Sequence, residues 1–111
     1  MDVSNIFSAI HKQDTAEIIE TIILTHEFKI ERIISRGHTT AEGEWYNQDK
    51  NEWVLVLKGS ARLLFEGDDE TVNMNAGNYV NIPAHRKHRV EWTDPEVETI
   101  WLVIHYGNES S

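Results

Sequence analysis

The residues of this chain best suited to chemistry lie in the segment 77–88, GNYVNIPAHRKH, which places His85 and His88 three positions apart. An imidazole can bind a transition metal or exchange a proton near neutral pH. The same pair can equally belong to a solvated basic turn, because three basic residues surround it. By itself the pair favours neither interpretation, and its role depends on the elements that position it.

Pro83 cannot donate a hydrogen bond within a sheet, so Tyr79–Ile82 is predicted to be a short strand that ends there. The histidines then follow on a turn and on the next strand. Side chains alternate along a strand, which places His88, Val90 and Trp92 on one face. We therefore expect His88 to point towards the interior, where its nitrogens need partners. Trp92 is the candidate aromatic wall of a ligand pocket.

The composition of the 111-residue chain indicates one domain with a single core. Its net charge of −9 disfavours binding to nucleic acids and to anionic membranes. The absence of cysteine and of a signal-like N-terminus predicts a cytoplasmic protein. No apolar stretch is long enough for a membrane span, and no glycine-rich phosphate loop indicates a nucleotide cofactor.

Short alternating segments separated by turn residues predict an all-β fold, a small antiparallel barrel or sandwich. Turn signals occur at 58–60, 67–69, 75–77 and 94–96. We predict an N-terminal arm (1–14), a barrel domain (15–106) and a polar tail (107–111). The β-branched segment Ile18–Leu24 fits a strand or a short helix, and we favour a strand after Glu20. Its apolar surface is the candidate contact of a homodimer.

Two half-motifs carry a resemblance to the small single-domain cupins, a conserved-barrel family. Gly77, Pro83 and His88 match the glycine, proline and histidine of the second cupin motif at the same spacing. Glu52 and Gly59 match the end of the first motif. The resemblance implies a jelly-roll barrel over most of the chain and a site inside it that contains Glu52 and His88.

The resemblance also implies a metal site that this chain supplies only in part. The first motif usually carries two histidines, and their positions are occupied by Tyr46 and Gln48. Both are poorer ligands for a transition metal than imidazole. His85 stands where the family usually has a glycine, and the face to which His105 belongs could point either way. The candidate metal ligands are therefore Glu52, His88, Gln48, His85 and His105, with Tyr46 and Trp92 as pocket residues.

Two hypotheses of different classes follow. In the first, the protein is a metal-dependent cupin enzyme that uses an Fe, Mn, Ni or Zn ion to act on a small organic molecule. In the second, it is a non-catalytic cupin that binds or senses a small molecule and whose metal site has decayed, as the two missing histidines suggest. The sequence leaves open which of the two is correct, and it does not identify the ligand.

Overall fold

The computed structural model describes residues 1–8 and 16–107, and these form eight antiparallel strands. The strands are β1 (Ile18–Leu24), β2 (Phe28–Ser35), β3 (Asn51–Lys58), β4 (Ser60–Phe65), β5 (Val72–Asn75), β6 (Tyr79–Ile82), β7 (His88–Thr93) and β8 (Thr99–Tyr106). The prediction of an all-β antiparallel jelly roll is confirmed. Much of the predicted arm, residues 9–14, and the tail residues 108–111 lie outside the described residues. Within the described ranges there is no helix that could cross a membrane.

The strands form two sheets that face each other. One sheet has five strands in the order β1-β2-β8-β3-β6, and the other has three in the order β5-β4-β7. Apolar side chains from both sheets fill the space between them, because each strand turns alternate residues inward. The core consists of Val54, Val56, Ala61, Leu63, Met74, Ile82, Trp101 and Val103. β8 lies at the centre of the larger sheet, between β2 and β3.

The structure shows which of the two apolar faces of β8 points inward, which the alternating pattern of its sequence left open. Trp101, Val103 and His105 are buried, with 4%, 3% and 9% of their surface exposed, whereas Tyr106 is 37% exposed. The face that contains His105 therefore points into the barrel. Its burial places an imidazole among apolar side chains, where both ring nitrogens need partners.

Gly59 allows the tight connection between β3 and β4. Its φ is +87°, in the left-handed region that glycine tolerates best. A Cβ atom at this position would lie 2.6 Å from the carbonyl oxygen of Glu98 and 2.7 Å from the Cα of Thr99. Backbone atoms cannot yield as a flexible side chain does, so the close approach of β8 to this turn requires glycine.

The first strand begins earlier than expected, at Ile18 and not after Glu20. The reason is that β1 pairs with β2 over its whole length, from Ile18 opposite Ile34 to Leu24 opposite Lys29. β1 is also an edge strand of the larger sheet. Several of its large apolar side chains are exposed, by 44% to 71%: Ile19, Ile22, Ile23 and Leu24. The segment 45–48 contributes one isolated bridge, between Tyr46 and His88.

Candidate binding site in the barrel interior

A cavity of about 170 Å³ lies between the two sheets. Its apolar wall includes Ile33, Val54, Leu63, Ile82, Val90, Trp101 and Val103. Its polar residues are Glu17, Glu31, Tyr46, Gln48, Glu52, His88 and His105. An apolar recess with a few convergent polar groups is the usual form of a small-molecule site.

Glu52 and His88 form the first polar pair in this cavity. Glu52 lies near the start of β3 and His88 at the start of β7, and Glu52 Oε1 is 3.2 Å from His88 Nε2. His88 Nδ1 lies 2.9 Å from the carbonyl oxygen of Arg86. A carbonyl only accepts hydrogen bonds, so Nδ1 must carry a proton. Nε2 can then bond to the Glu52 carboxylate only if the imidazole or the carboxylate carries a further proton.

The surroundings of His88 favour the charged imidazole. Burial, the largest single influence, lowers its pKa, because it penalises the charged form. The hydrogen bonds to Glu52 and to the Arg86 carbonyl, together with the negative charge of Glu52, outweigh burial and raise the pKa of His88 above its ordinary value of 6.5. An imidazolium facing a carboxylate is therefore the state that this geometry stabilises.

Glu31 and His105 form a second pair. Glu31 Oε1 on β2 lies 2.8 Å from His105 Nε2 on β8, and Gln48 Oε1 lies 3.1 Å from His105 Nδ1. The amide group of Gln48 points to Glu52 Oε2, at 3.4 Å, which orients its oxygen towards the histidine. Both nitrogens of His105 thus have a polar partner within hydrogen-bond distance.

Gln48 joins the two pairs into one hydrogen-bonded chain. The chain runs in the order Glu31, His105, Gln48, Glu52 and His88. Glu52 also lies near both imidazoles, since its second oxygen is 3.7 Å from His105 Nδ1. Protons can pass within each carboxylate–imidazole pair, whereas the Gln48 amide between the pairs holds them in position and does not itself relay a proton. We call these five residues the polar chain.

Tyr46 lies at the rim of the cavity, beside the polar chain. It pairs with His88 through two backbone hydrogen bonds of 2.7 and 3.1 Å, and its ring centroid is 5.6 Å from that of His88. Burial and the charge of Glu17 raise the pKa of Tyr46, although a hydrogen bond with Thr40 opposes them. These influences favour the protonated phenol.

Trp92, the predicted aromatic wall, does not line the cavity. The register between β4 and β7 shifts between Arg62 and Leu63, so that Leu63 pairs with Val90 and Arg62 with Trp92. This irregularity reverses the alternation beyond Val90, and Thr93, with 1% of its surface exposed, takes the inward position. Trp92 instead lies against the Arg62 guanidinium, 4.5 Å from its ring centroid.

His85 lies outside the inner cavity as well. Its backbone adopts φ +64°, which is uncommon for a residue other than glycine and suits the position where cupins usually have one. Its Nδ1 is 2.9 Å from Asn47 Oδ1, and its N–H donates to the Gln48 carbonyl at 2.7 Å. These contacts direct the ring into a separate recess on the outside of the barrel.

This recess is a cleft of about 690 Å³, which we call the outer cleft. Its lining residues are Leu24, Thr25, His26, Phe28, Lys29, Glu31, Asn47, Gln48, Asp49, Lys50, His85 and His105. Glu31, Gln48 and His105 line both the cleft and the inner cavity. One molecule could therefore reach the polar chain with one end while the rest of it occupies the cleft.

The candidate metal ligands come together only in part. Glu52, His88, Gln48 and His105 belong to the polar chain, whereas His85 does not. Among residues 1–8 and 16–107, no group of three or more histidine, aspartate or glutamate side chains is arranged to hold a metal ion. Metal ligation requires neutral imidazoles. His88 and His105 would have to exchange their present hydrogen bonds for bonds to the ion, so metal binding stays a prediction.

Glu31 is the member of the polar chain that the sequence did not indicate. It lies outside both half-motifs, on a strand with apolar residues on both faces. Only 9% of its surface is exposed. A charged residue is almost never buried without a partner. Glu31 is two residues from Ile33 and so shares its face of β2, and this position on an apolar face is the signal that could have identified Glu31.

The comparisons with known proteins agree with this architecture. A family model described as "Cupin domain" matches residues 34–105. A "putative mannose-6-phosphate isomerase" from Ralstonia eutropha JMP134 is 38% identical, with a TM-score of 0.90 over 96% of this chain and 98% of that chain. No curated protein matches the sequence.

More distant structures share the fold. An RmlC-like cupin from Methanocaldococcus jannaschii is 18% identical, with a TM-score of 0.70 over 90% of this chain and 88% of that chain. An RmlC-like cupin from Desulfovibrio desulfuricans is also 18% identical, with a TM-score of 0.72 over 95% and 96% of the two chains.

Proposed function

Since this chain belongs to the cupin family, we propose that its barrel binds a small hydroxy-carbonyl compound and isomerises it by proton transfer. The observation that carries this proposal is the polar chain, in which Glu52 lies between two imidazoles, 3.2 Å from His88 and 3.7 Å from His105. A carboxylate beside an imidazolium provides a base and an acid in one place. The name of the Ralstonia protein, an isomerase of a sugar phosphate, supports the same class of reaction.

The reaction needs no co-reactant. Glu52 would remove the proton from the carbon that bears the hydroxyl group, while an adjacent imidazolium donates a proton to the carbonyl oxygen, which yields an enediol. The proton on Glu52 then returns to the former carbonyl carbon, and the remaining hydroxyl gives its proton back to the imidazole. One C–H and one O–H bond have changed places, and the site is restored. No step in this scheme is routed through a metal ion.

The size of the cavity indicates how such a molecule would lie. At about 170 Å³ the cavity is smaller than the ~300 Å³ lower end of pockets that enclose drug-sized ligands. It would hold the reacting end of the compound against the apolar wall. The outer cleft would receive the remainder, since the two recesses share Glu31, Gln48 and His105.

The test uses mannose 6-phosphate in D₂O, followed by proton NMR. The wild-type protein should exchange the C2 proton for deuterium and form fructose 6-phosphate. Glu52→Gln should slow both by about 10²-fold or more, the usual contribution of a general base. Glu70→Gln, which removes an exposed carboxylate, is the matched control and should have no effect. A wild-type protein that neither binds the sugar phosphate nor exchanges its proton would contradict the proposal for this substrate class.

A non-catalytic binding role is the second candidate. Tyr46 and Gln48 stand where metal cupins usually have histidines, and that observation favours a pocket that recognises a molecule without converting it. Calorimetry on the same samples separates the two functions. Binding that depends on Glu52 but is accompanied by no exchange and no product would support the binding role.

A further inference from the structure

We infer that the ligand of this barrel is an uncharged polyhydroxy compound whose far end lies in the outer cleft, where a phosphate group on that end would gain no binding. The inference rests on the proposed function, which places the reacting end of the molecule in the inner cavity, and it adds the chemical class of the remainder. Binding can be measured with a compound that has no carbonyl group and cannot react. The two ideas can therefore fail separately.

The outer cleft has as many carboxylates as lysines. Its lysines are Lys29 and Lys50, and its carboxylates are Glu31 and Asp49. Lys29 Nζ lies 3.4 Å from Glu31 Oε2. Asp49 and Lys50 are consecutive residues of the lining, so their opposite charges offset each other. A phosphate would lose hydration on entering the cleft, and no net charge of the lysines and carboxylates would compensate for that loss.

Arginine, whose planar group matches a phosphate best, is used elsewhere in the fold. Arg32 donates to Glu20 at 2.6 Å, and Arg89 donates to Glu91 at 2.8 Å. In the part of the chain that the structure describes, no arginine lines either recess. The described elements are all strands, so they do not offer a helix N-terminus, which is another common site for a phosphate. The described residues therefore provide neither of these means of holding a phosphate.

The inner cavity is unfavourable for an anion as well. Its three carboxylates, those of Glu17, Glu31 and Glu52, outnumber its two imidazoles. The Glu17 carboxylate is fixed, because it accepts a hydrogen bond of 2.5 Å from Ser35, which in turn accepts one of 3.2 Å from the indole of Trp101. Ser35 and Trp101 are only 1% and 4% exposed. A carboxylate held in this way can accept a hydrogen bond from a hydroxyl group, whereas it repels an anion.

The neutral residues of the outer cleft suit the rest of a polyol. Thr25, Asn47 and Gln48 bring hydroxyl and amide groups to its lining. Such groups both donate and accept hydrogen bonds, as each hydroxyl of a polyol does. Leu24 and Phe28 add apolar surface, against which the C–H groups of a carbon chain can pack. The cleft therefore matches an uncharged hydroxylated chain better than it matches a phosphate.

The experiment titrates mannitol and mannitol 1-phosphate into the full chain and follows binding by NMR. Both compounds are open-chain polyols without a carbonyl group, so neither can react. At low ionic strength we expect mannitol to bind at least as tightly as its phosphate ester. Added salt should then narrow any difference, because it screens repulsion of the phosphate by a chain whose net charge is −9. The inference is overturned if mannitol does not bind, or if the phosphate ester binds about tenfold more tightly and salt weakens its binding.

A variant tests whether the charge balance of the cleft is the cause. Asp49→Asn leaves the charge of Lys50 without its neighbouring carboxylate. This variant should bind mannitol 1-phosphate about threefold more tightly than the wild-type protein, the size of one solvent-exposed charge interaction, and should bind mannitol with little change. Glu70→Gln, which removes an exposed carboxylate outside both recesses, is the matched control and should affect neither compound. An unchanged affinity of Asp49→Asn for the phosphate ester would overturn the inference.

Mannose and mannose 6-phosphate in D₂O separate this inference from the proposed function. If both ideas are correct, mannose should exchange its C2 proton at least as efficiently as mannose 6-phosphate, whose phosphate would extend from the cleft into solvent. If mannitol binds as expected and neither sugar exchanges its proton, only the proposed function fails. If both sugars exchange and the phosphate ester is favoured by about tenfold or more, only this inference fails.

Discussion

Replacing Glu52 with glutamine should make the stability of the protein depend on pH in a different way. In the folded wild-type protein the pKa of His88 is raised above 6.5, chiefly because the bonds to Glu52 and to the Arg86 carbonyl overcome the effect of burial. The interaction of the imidazolium with Glu52 therefore stabilises the fold fully below that value. It is lost as the pH rises through the folded-state pKa. Glu52→Gln removes the negative charge and with it this contribution.

The geometry sets the size of the effect. The side chains of His88 and Glu52 are only 7% and 12% exposed, so solvent screens their interaction little. A hydrogen bond to a charged group contributes about 1.5–3 kcal/mol to stability. The separation of 3.2 Å is longer than the ~2.7–2.9 Å typical of charge-assisted bonds, which favours the lower part of that range. We expect Glu52→Gln to lower the free energy of unfolding by about 1.5–2 kcal/mol at about pH 5.5.

The difference should shrink as the pH rises from about 5.5 towards about 9, because the imidazole loses its charge as the pH passes through its raised folded-state pKa. A glutamine amide can then donate to the lone pair of Nε2, whereas the wild-type carboxylate cannot. Urea denaturation followed by tryptophan fluorescence measures both values, with Glu70→Gln as the control for loss of a charge. A destabilisation of equal size at both pH values would refute the reasoning, as would an NMR titration in which His88 loses its proton below 6.5.

Three further predictions concern the metal, the assembly and the turn between β3 and β4. If the cavity binds metal, protein purified without chelator should contain near-stoichiometric Fe, Mn, Ni or Zn by elemental mass spectrometry. The double variant Glu52→Ala, His88→Ala should lose this metal. A trace metal content that is the same in the variant would contradict metal binding. The exposed apolar side chains of β1 predict a homodimer, which Leu24→Lys should weaken in light scattering; a strict monomer at high concentration would defeat this prediction. Gly59→Ala should destabilise the fold by about 3 kcal/mol or more, because its Cβ would overlap the backbone of β8 and the left-handed φ would be strained. Gly67→Ala has the same strain, but its Cβ would meet nothing within 4 Å, so it should cost only about 1–2 kcal/mol. Equal losses of stability in urea denaturation would show that the contact with β8 is unimportant.

The fold was predictable because its signals are local. Turn residues recur along the chain. The spacing from Glu52 to Gly59 covers β3 and the turn residue that follows it, and the spacing from Gly77 to His88 covers β6 and the turns on either side of it. Those spacings also pointed to Glu52 and His88, whose side chains lie 3.2 Å apart in the cavity. The start of β1 was less predictable, since its apolar residues fit a helix as well as a strand and only the pairing with β2 decides between them.

The rest of the site depends on contacts between strands, which a single sequence does not display. Trp92 was assigned to the wrong face because one register shift against β4 reverses the alternation after Val90. Glu31 was missed because its partner, His105, lies 74 residues away on β8. The orientation of His105 was open because both faces of β8 are apolar, and burial between β2 and β3 resolves it.

Three members of the polar chain lie on adjacent inner strands of the larger sheet, and this affects how the cavity can exchange its contents. Glu31, His105 and Glu52 belong to β2, β8 and β3, which are neighbouring strands joined along nearly their whole length. Amide protons in these strands should exchange with deuterium only when the whole domain unfolds. These strands therefore do not separate to admit a ligand. A ligand must enter and leave the cavity past the rim near Tyr46 or through the outer cleft. The reacting groups would then keep one geometry from each binding event to the next.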